Sequence, residues 1–74
     1  MKAVLQCNKH FDGSNVLEIL YRKGIEVLKT KTCGFGMEYK ITIRIGNQRE
    51  LGELMHEMNG KCDMGVVVVK TKGK

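Results

Sequence analysis

The sequence predicts one small α+β domain of order βαββαβ, and three observations carry that expectation. The passage Asn15 to Lys31 (NVLEILYRKGIEVLKTK) recurs in outline between Asn47 and Lys72, where a second Asn-x-x-Glu opens an apolar-periodic segment that ends at glycine and leads into VVVVKTK. Residues 37–45 alternate between apolar and polar without a break, the period of a strand with one covered face. With 74 residues the chain holds a single domain with a limited core. Two strand–helix–strand units facing each other across one sheet satisfy all three.

Each element has its own warrant. Residues 2–7 (KAVLQC) place Ala3, Leu5 and Cys7 on one face of a first strand. A polar loop, CNKHFDGSN, follows, and Asn15 is expected to cap a helix with Glu18 at the reciprocal position of a capping box. Val16, Ile19, Leu20 and Lys23 share one stripe of that helix, and Gly24 supplies its end. A second strand is expected over Ile25 to Lys31, with the glycines of residues 32–36 making a hairpin loop. The third strand, Met37 to Ile45, puts Met37, Tyr39, Ile41, Ile43 and Ile45 on its core face and Glu38, Lys40, Thr42 and Arg44 on the other. Asn47 caps the second helix, Glu50 completes its box, and Leu51, Leu54, Met55 and Met58 form its stripe up to Asn59-Gly60. Val66 to Val69 form a last strand apolar on both sides, which implies cover over part of the open face, and residues 70–74 read as a frayed tail.

Composition narrows the classes. No run approaches the roughly 18 apolar residues of a membrane span, and the apolar start is too short for a signal peptide, so a cytoplasmic location is expected and no membrane association. Cys7, Cys33 and Cys62 are an odd number with no close pair, which suits reduced thiols. The formal charge of +5 comes from thirteen basic residues spread along the chain, with a local excess at Lys70, Lys72 and Lys74.

The order of elements is that of the ferredoxin-like sandwich, four antiparallel strands with two helices on one face. Within it, Asp12-Gly13, then Val16, Leu17, Ile19 and Leu20, then Gly24-Ile25-Glu26-Val27, then Cys33-Gly34-Phe35-Gly36, then Tyr39-Lys40-Ile41-Thr42-Ile43, then Glu50-Leu51-Gly52-Glu53-Leu54 follow one another in order. In this the chain resembles the ACT family of small regulatory domains. Asp12 stands where that family commonly has a proline before the loop glycine. The resemblance implies a homodimer that holds a small, amino-acid-like metabolite near the first loop, here Asn8, His10, Phe11, Asp12, Gly13, Ser14 and Asn15. From the residues themselves, Asp12 and Asn15 suit an ammonium group and free N–H groups at a helix start suit a carboxylate. As turn and cap formers the same residues need no ligand.

Other chemistries are weaker. Cys7 and His10 have the types of a soft-metal pair, joined by His56 or Cys62 only if the fold gathers them, and alternation makes Cys7 a core residue. Neither a metal nor a cofactor is expected. No nucleophile, base and oxyanion site occur together, so the chain is read as non-enzymatic. The Gly34-Phe35-Gly36 loop leads into a strand and not into a helix N-terminus, unlike a phosphate-cradling loop. The central strands lack outward aromatics for stacking bases, although Lys40, Thr42 and Arg44 have the chemistry to touch a phosphate backbone. The expectation is a regulatory metabolite-binding module. The alternative is a module that docks a macromolecule through its open face or edge strand, with a protein ranked before a nucleic acid.

Overall fold

The computed structural model describes residues 1–73. The elements are β1 (Lys2–Asn8), α1 (Gly13–Arg22), β2 (Glu26–Cys33), β3 (Glu38–Arg44), α2 (Gln48–Asn59) and β4 (Val66–Lys72). The strands form one sheet in the order β2-β3-β1-β4 with every neighbouring pair antiparallel. This is the expected ferredoxin-like α+β arrangement.

One face of the sheet is buried. Ala3, Leu5 and Cys7 of β1, Ile41 and Ile43 of β3 and Val66 of β4 meet Val16, Ile19 and Leu20 of α1 and Leu51, Leu54 and Met58 of α2. Fully burying an aliphatic side chain of this kind stabilises the fold by roughly 1.5–3 kcal/mol, so this single layer carries most of the driving force. Across the helix pair, Lys23 Nζ lies 2.8 Å from Glu57 and holds its carboxyl below the usual range, with Arg22 at 3.6 Å. Both ion pairs are wet and orient the helices more than they stabilise them. Met1 extends the central pair by one step: its ammonium donates to Ile45 O at 2.6 Å, and Ile45 N donates to Met1 O at 2.8 Å.

The helix starts differ from one another. Asn47 caps α2 as expected, its Oδ1 accepting from Glu50 N at 2.9 Å. The Glu50 carboxylate reaches one residue further back than a capping box requires and accepts from Gly46 N at 3.0 Å. Asn15 does not cap α1, and no box forms with Glu18. That helix begins at Gly13 with Asp12 in the cap position, three residues before the expected cap, because Asp12 O already accepts Val16 N at 2.9 Å. Gly24, at φ 72°, ends α1.

Three further boundaries shift. Met37 is 54% exposed, because β3 begins at Glu38 and Met37 belongs to the hairpin turn. The strand β2 runs Glu26–Cys33, one residue later at its start and two at its end than the alternation suggested. The last strand continues past the valines to Lys72, since Lys70, Thr71 and Lys72 pair with Val4, Ala3 and Lys2. The expectation for Lys74 lies outside the described residues.

Capping by Asn47 and its absence at Asn15 give a direct test. Asn47→Ala is expected to lower stability by about 1 kcal/mol and Asn15→Ala by less than about 0.5 kcal/mol, read from urea unfolding midpoints at constant slope.

Candidate functional site

The first loop is organised by its own hydrogen bonds. Asn8 Oδ1 accepts the backbone N–H groups of His10 and Phe11, both at 3.0 Å, and Asp12 N donates to Asn8 O at 2.9 Å. Asp12 has no solvent exposure, and its two carboxylate oxygens accept Asp63 N at 2.8 Å and Met64 N at 3.0 Å. Gly13 is buried beside the Tyr39 ring. His10, Phe11, Ser14 and Asn15 are exposed. Of the seven residues expected at a ligand site, Asn8 and Asp12 therefore already hold the chain's own backbone, and four face water.

The loop sits among two others. Lys9 N donates to Met37 O at 2.9 Å, joining it to the β2–β3 hairpin, and Asp12 joins it to the α2–β4 connection. Around this end Phe11, Phe35, Met37 and Met64 are all exposed. Phe35 stands in the left-handed region at φ 59° at the tip of the hairpin.

The α2–β4 connection is secured a second time by Asn59. Its Oδ1 accepts Val66 N at 2.8 Å, and its Nδ2 donates to Met55 O and Val66 O. Gly65, at φ 97°, lets the chain pass this amide: a Cβ there would lie 3.1 Å from Asn59 Oδ1 in a backbone conformation unsuited to other residues.

Among the described residues no helix lies over the opposite face of the sheet. Its registers set out two rows of four residues, Lys72–Lys2–Arg44–Glu26 and Lys70–Val4–Thr42–Lys29, and a third that runs Val67–Gln6–Lys40–Lys31. Asn8, Glu38 and Cys33 follow at the hairpin end. Seven basic side chains thus share this face with two acids, Glu26 and Glu38, and Arg44 pairs with Glu26 at 3.4 Å. The helix side and loops carry Lys9, Arg22, Lys23, Arg49 and Lys61 against six carboxylates. The basic residues that look evenly spread along the chain are concentrated by folding, and the positive excess of the described residues lies on the open face. A shallow groove of about 240 Å³ runs there between Lys2, Val4, Thr42, Lys70, Thr71 and Lys72.

No family model, curated protein or solved structure matches the chain. The arrangement of the side chains is accordingly the ground for any reading of function.

The remaining reactive groups are quiet. Cys7 is buried, and burial, helped by Cys62, Asp12 and Glu38, pushes its thiol up to about 11. Cys62 is raised as well, by burial first and then by Asp12 and Asp63. Protonated thiols are poor nucleophiles and poor metal ligands. Among the described residues no three His, Cys, Asp or Glu side chains gather as metal ligands, and no helix is long and apolar enough to cross a membrane. A larger groove of about 500 Å³, between the end of α1 and the start of α2, is open and lined by both charge signs, including Lys23, Arg44, Glu50 and Glu53.

Two measurements follow. Asp12→Ala strands two backbone N–H groups, at about 1–3 kcal/mol each, and is expected to lower stability by about 3 kcal/mol in urea unfolding, with Asp12→Asn losing less. Because the folded Cys7 thiol keeps its proton up to about 11 while the unfolded one releases it near 9.0, stability is expected to fall as pH rises through that window. Cys7→Ala, compared over the same pH range, should flatten this part of the decline.

Proposed function

We propose that this chain is a non-enzymatic binding module that docks an anionic macromolecule on its open sheet face, in a reducing compartment such as the cytoplasm. One observation carries the reading: seven basic side chains share a face that none of the described elements covers, while the rest of the described surface is close to neutral. None of the six lysines on that face takes part in an ion pair among the described residues. Such a surface repels a second copy of itself and attracts a polyanion.

Heparin provides a polyanion without a particular biological role. The quadruple variant Lys29/Lys31/Lys70/Lys72→Gln is expected to elute from heparin at much lower salt than the parent. A control with the same loss of charge, Lys9/Arg22/Arg49/Lys61→Gln, should stay near it. Equal losses for the two variants would reduce the effect to net charge and end the proposal.

A second reading keeps the ACT-like expectation of a homodimer that senses a small amino-acid-like metabolite at the first loop. Its support is the cluster of exposed apolar side chains at that end, Phe11, Phe35, Met37 and Met64, which a ligand or a second copy would cover. A metabolite present at 100 times its Kd would add about 2.7 kcal/mol to stability, a clear rise in Tm across an amino-acid panel. A flat panel from a protein of monomer mass would remove this reading.

A further inference from the structure

The edge strands of the sheet carry the same five-residue pattern. Val27-Leu28-Lys29-Thr30-Lys31 lies on β2 and Val68-Val69-Lys70-Thr71-Lys72 on β4. Both are interrupted at the same place. On β2 the register passes from Val27, opposite Ile43, to Lys29, opposite Thr42, and skips Leu28. On β4 it passes from Val68, opposite Leu5, to Lys70, opposite Val4, and skips Val69. Without these interruptions strict alternation through all five residues would send the lysines to the same side as Val27 and Val68, against the core. Each bulge re-phases its strand so that Lys29 and Lys31, and likewise Lys70 and Lys72, reach the open face.

The two lysine pairs are related by an approximate two-fold axis through the centre of the face, between Val4 and Thr42. That operation exchanges Lys70 with Lys29, Lys72 with Lys31 and Lys2 with Lys40, as the registers require. Because β2 and β4 run in opposite directions, the edges form two antiparallel rails of positive charge. Three interstrand spacings place the rails roughly 14 Å apart, and alternate residues place the lysines of one rail roughly 7 Å apart. Between them the central strands present Val4, Thr42 and Gln6 together with Lys2, Lys40 and Arg44, and none of these is an aromatic ring to stack a base.

We infer that the anionic partner is the sugar–phosphate backbone of a nucleic-acid duplex, with one lysine rail for each of two antiparallel strands bordering a groove. This inference rests on the open-face reading above and names its partner. A duplex has a local two-fold axis of the same kind, and the major groove of B-DNA is about 12 Å wide, close to the separation of the rails. The six lysines direct the contacts to phosphates, so binding follows charge rather than sequence and is steep in salt.

The test is fluorescence anisotropy across a salt series with a short DNA duplex, the matching RNA duplex, the single strands and polyglutamate. At least one duplex should bind more tightly than either single strand or polyglutamate, and shuffling its sequence should leave the affinity unchanged. Its log K should fall against log salt with a slope near −5, about −0.9 for each lysine engaged. Lys29/Lys31→Gln and Lys70/Lys72→Gln should each reduce that slope by about 2, and by equal amounts, because the axis makes the pairs equivalent. Circular dichroism confirms that these exposed changes leave the fold intact. Single strands bound as tightly as duplex, polyglutamate bound more tightly, or unequal losses from the two pairs would each overturn the duplex inference. Heparin retention that still depends on the same lysines would then leave the anionic-face proposal standing, and its loss would remove both.

Discussion

The carboxylate of Asp12 lies out of reach of water at the start of α1, and its two acceptors are taken by N–H groups of Asp63 and Met64, more than fifty residues further on. It joins the entry of the first helix to the exit of the second, the places where the halves of the chain must agree. The start of β4 is set a few residues later, where Asn59 takes both backbone groups of Val66. Once Val66 is fixed opposite Cys7, the phase of the strand follows, Val68 falls on the core side and the bulge at Val69 delivers Lys70 and Lys72 to the far side. The placement of Lys70 and Lys72 on the open face therefore depends on hydrogen bonds that fix the chain just before β4.

This division of labour explains why the first loop is polar without being free. Asn8, Asp12 and Gly13 are consumed in turning the chain and tying it to its neighbours, and buried polar groups of this kind are costly to leave unpaired. The open face has the opposite economy. Its side chains have little structural work, apart from the Arg44–Glu26 pair, and their chemistry is available to something outside the chain.

The repeat and the strict alternation of β3 made the fold legible, because period and capping residues are local signals. Asn47 could be read as a cap since its donor, Glu50 N, is three residues away. Asp12 could not, since its donors lie across the molecule and nothing beside it in sequence announces them. The lysines were misleading in a different way. Counted along the chain they look dispersed, and only pairing shows that Lys2, Lys29, Lys31, Lys40, Lys70 and Lys72 share one side. A clue was present: in VLKTK and VVKTK an unbroken period of two would force lysines toward the core, which desolvation forbids, so an interruption was required.

The bulges have another consequence. Each edge of the sheet offers unpaired backbone groups to any passing extended chain, and a flat edge of alternating valines invites addition of strand upon strand. Here the flat part of each edge ends at its skipped residue, Leu28 or Val69, where the local twist increases, and two lysines follow. The four edge lysines that supply much of the open face's charge thus also serve as gatekeepers against fibril growth at both borders of the domain.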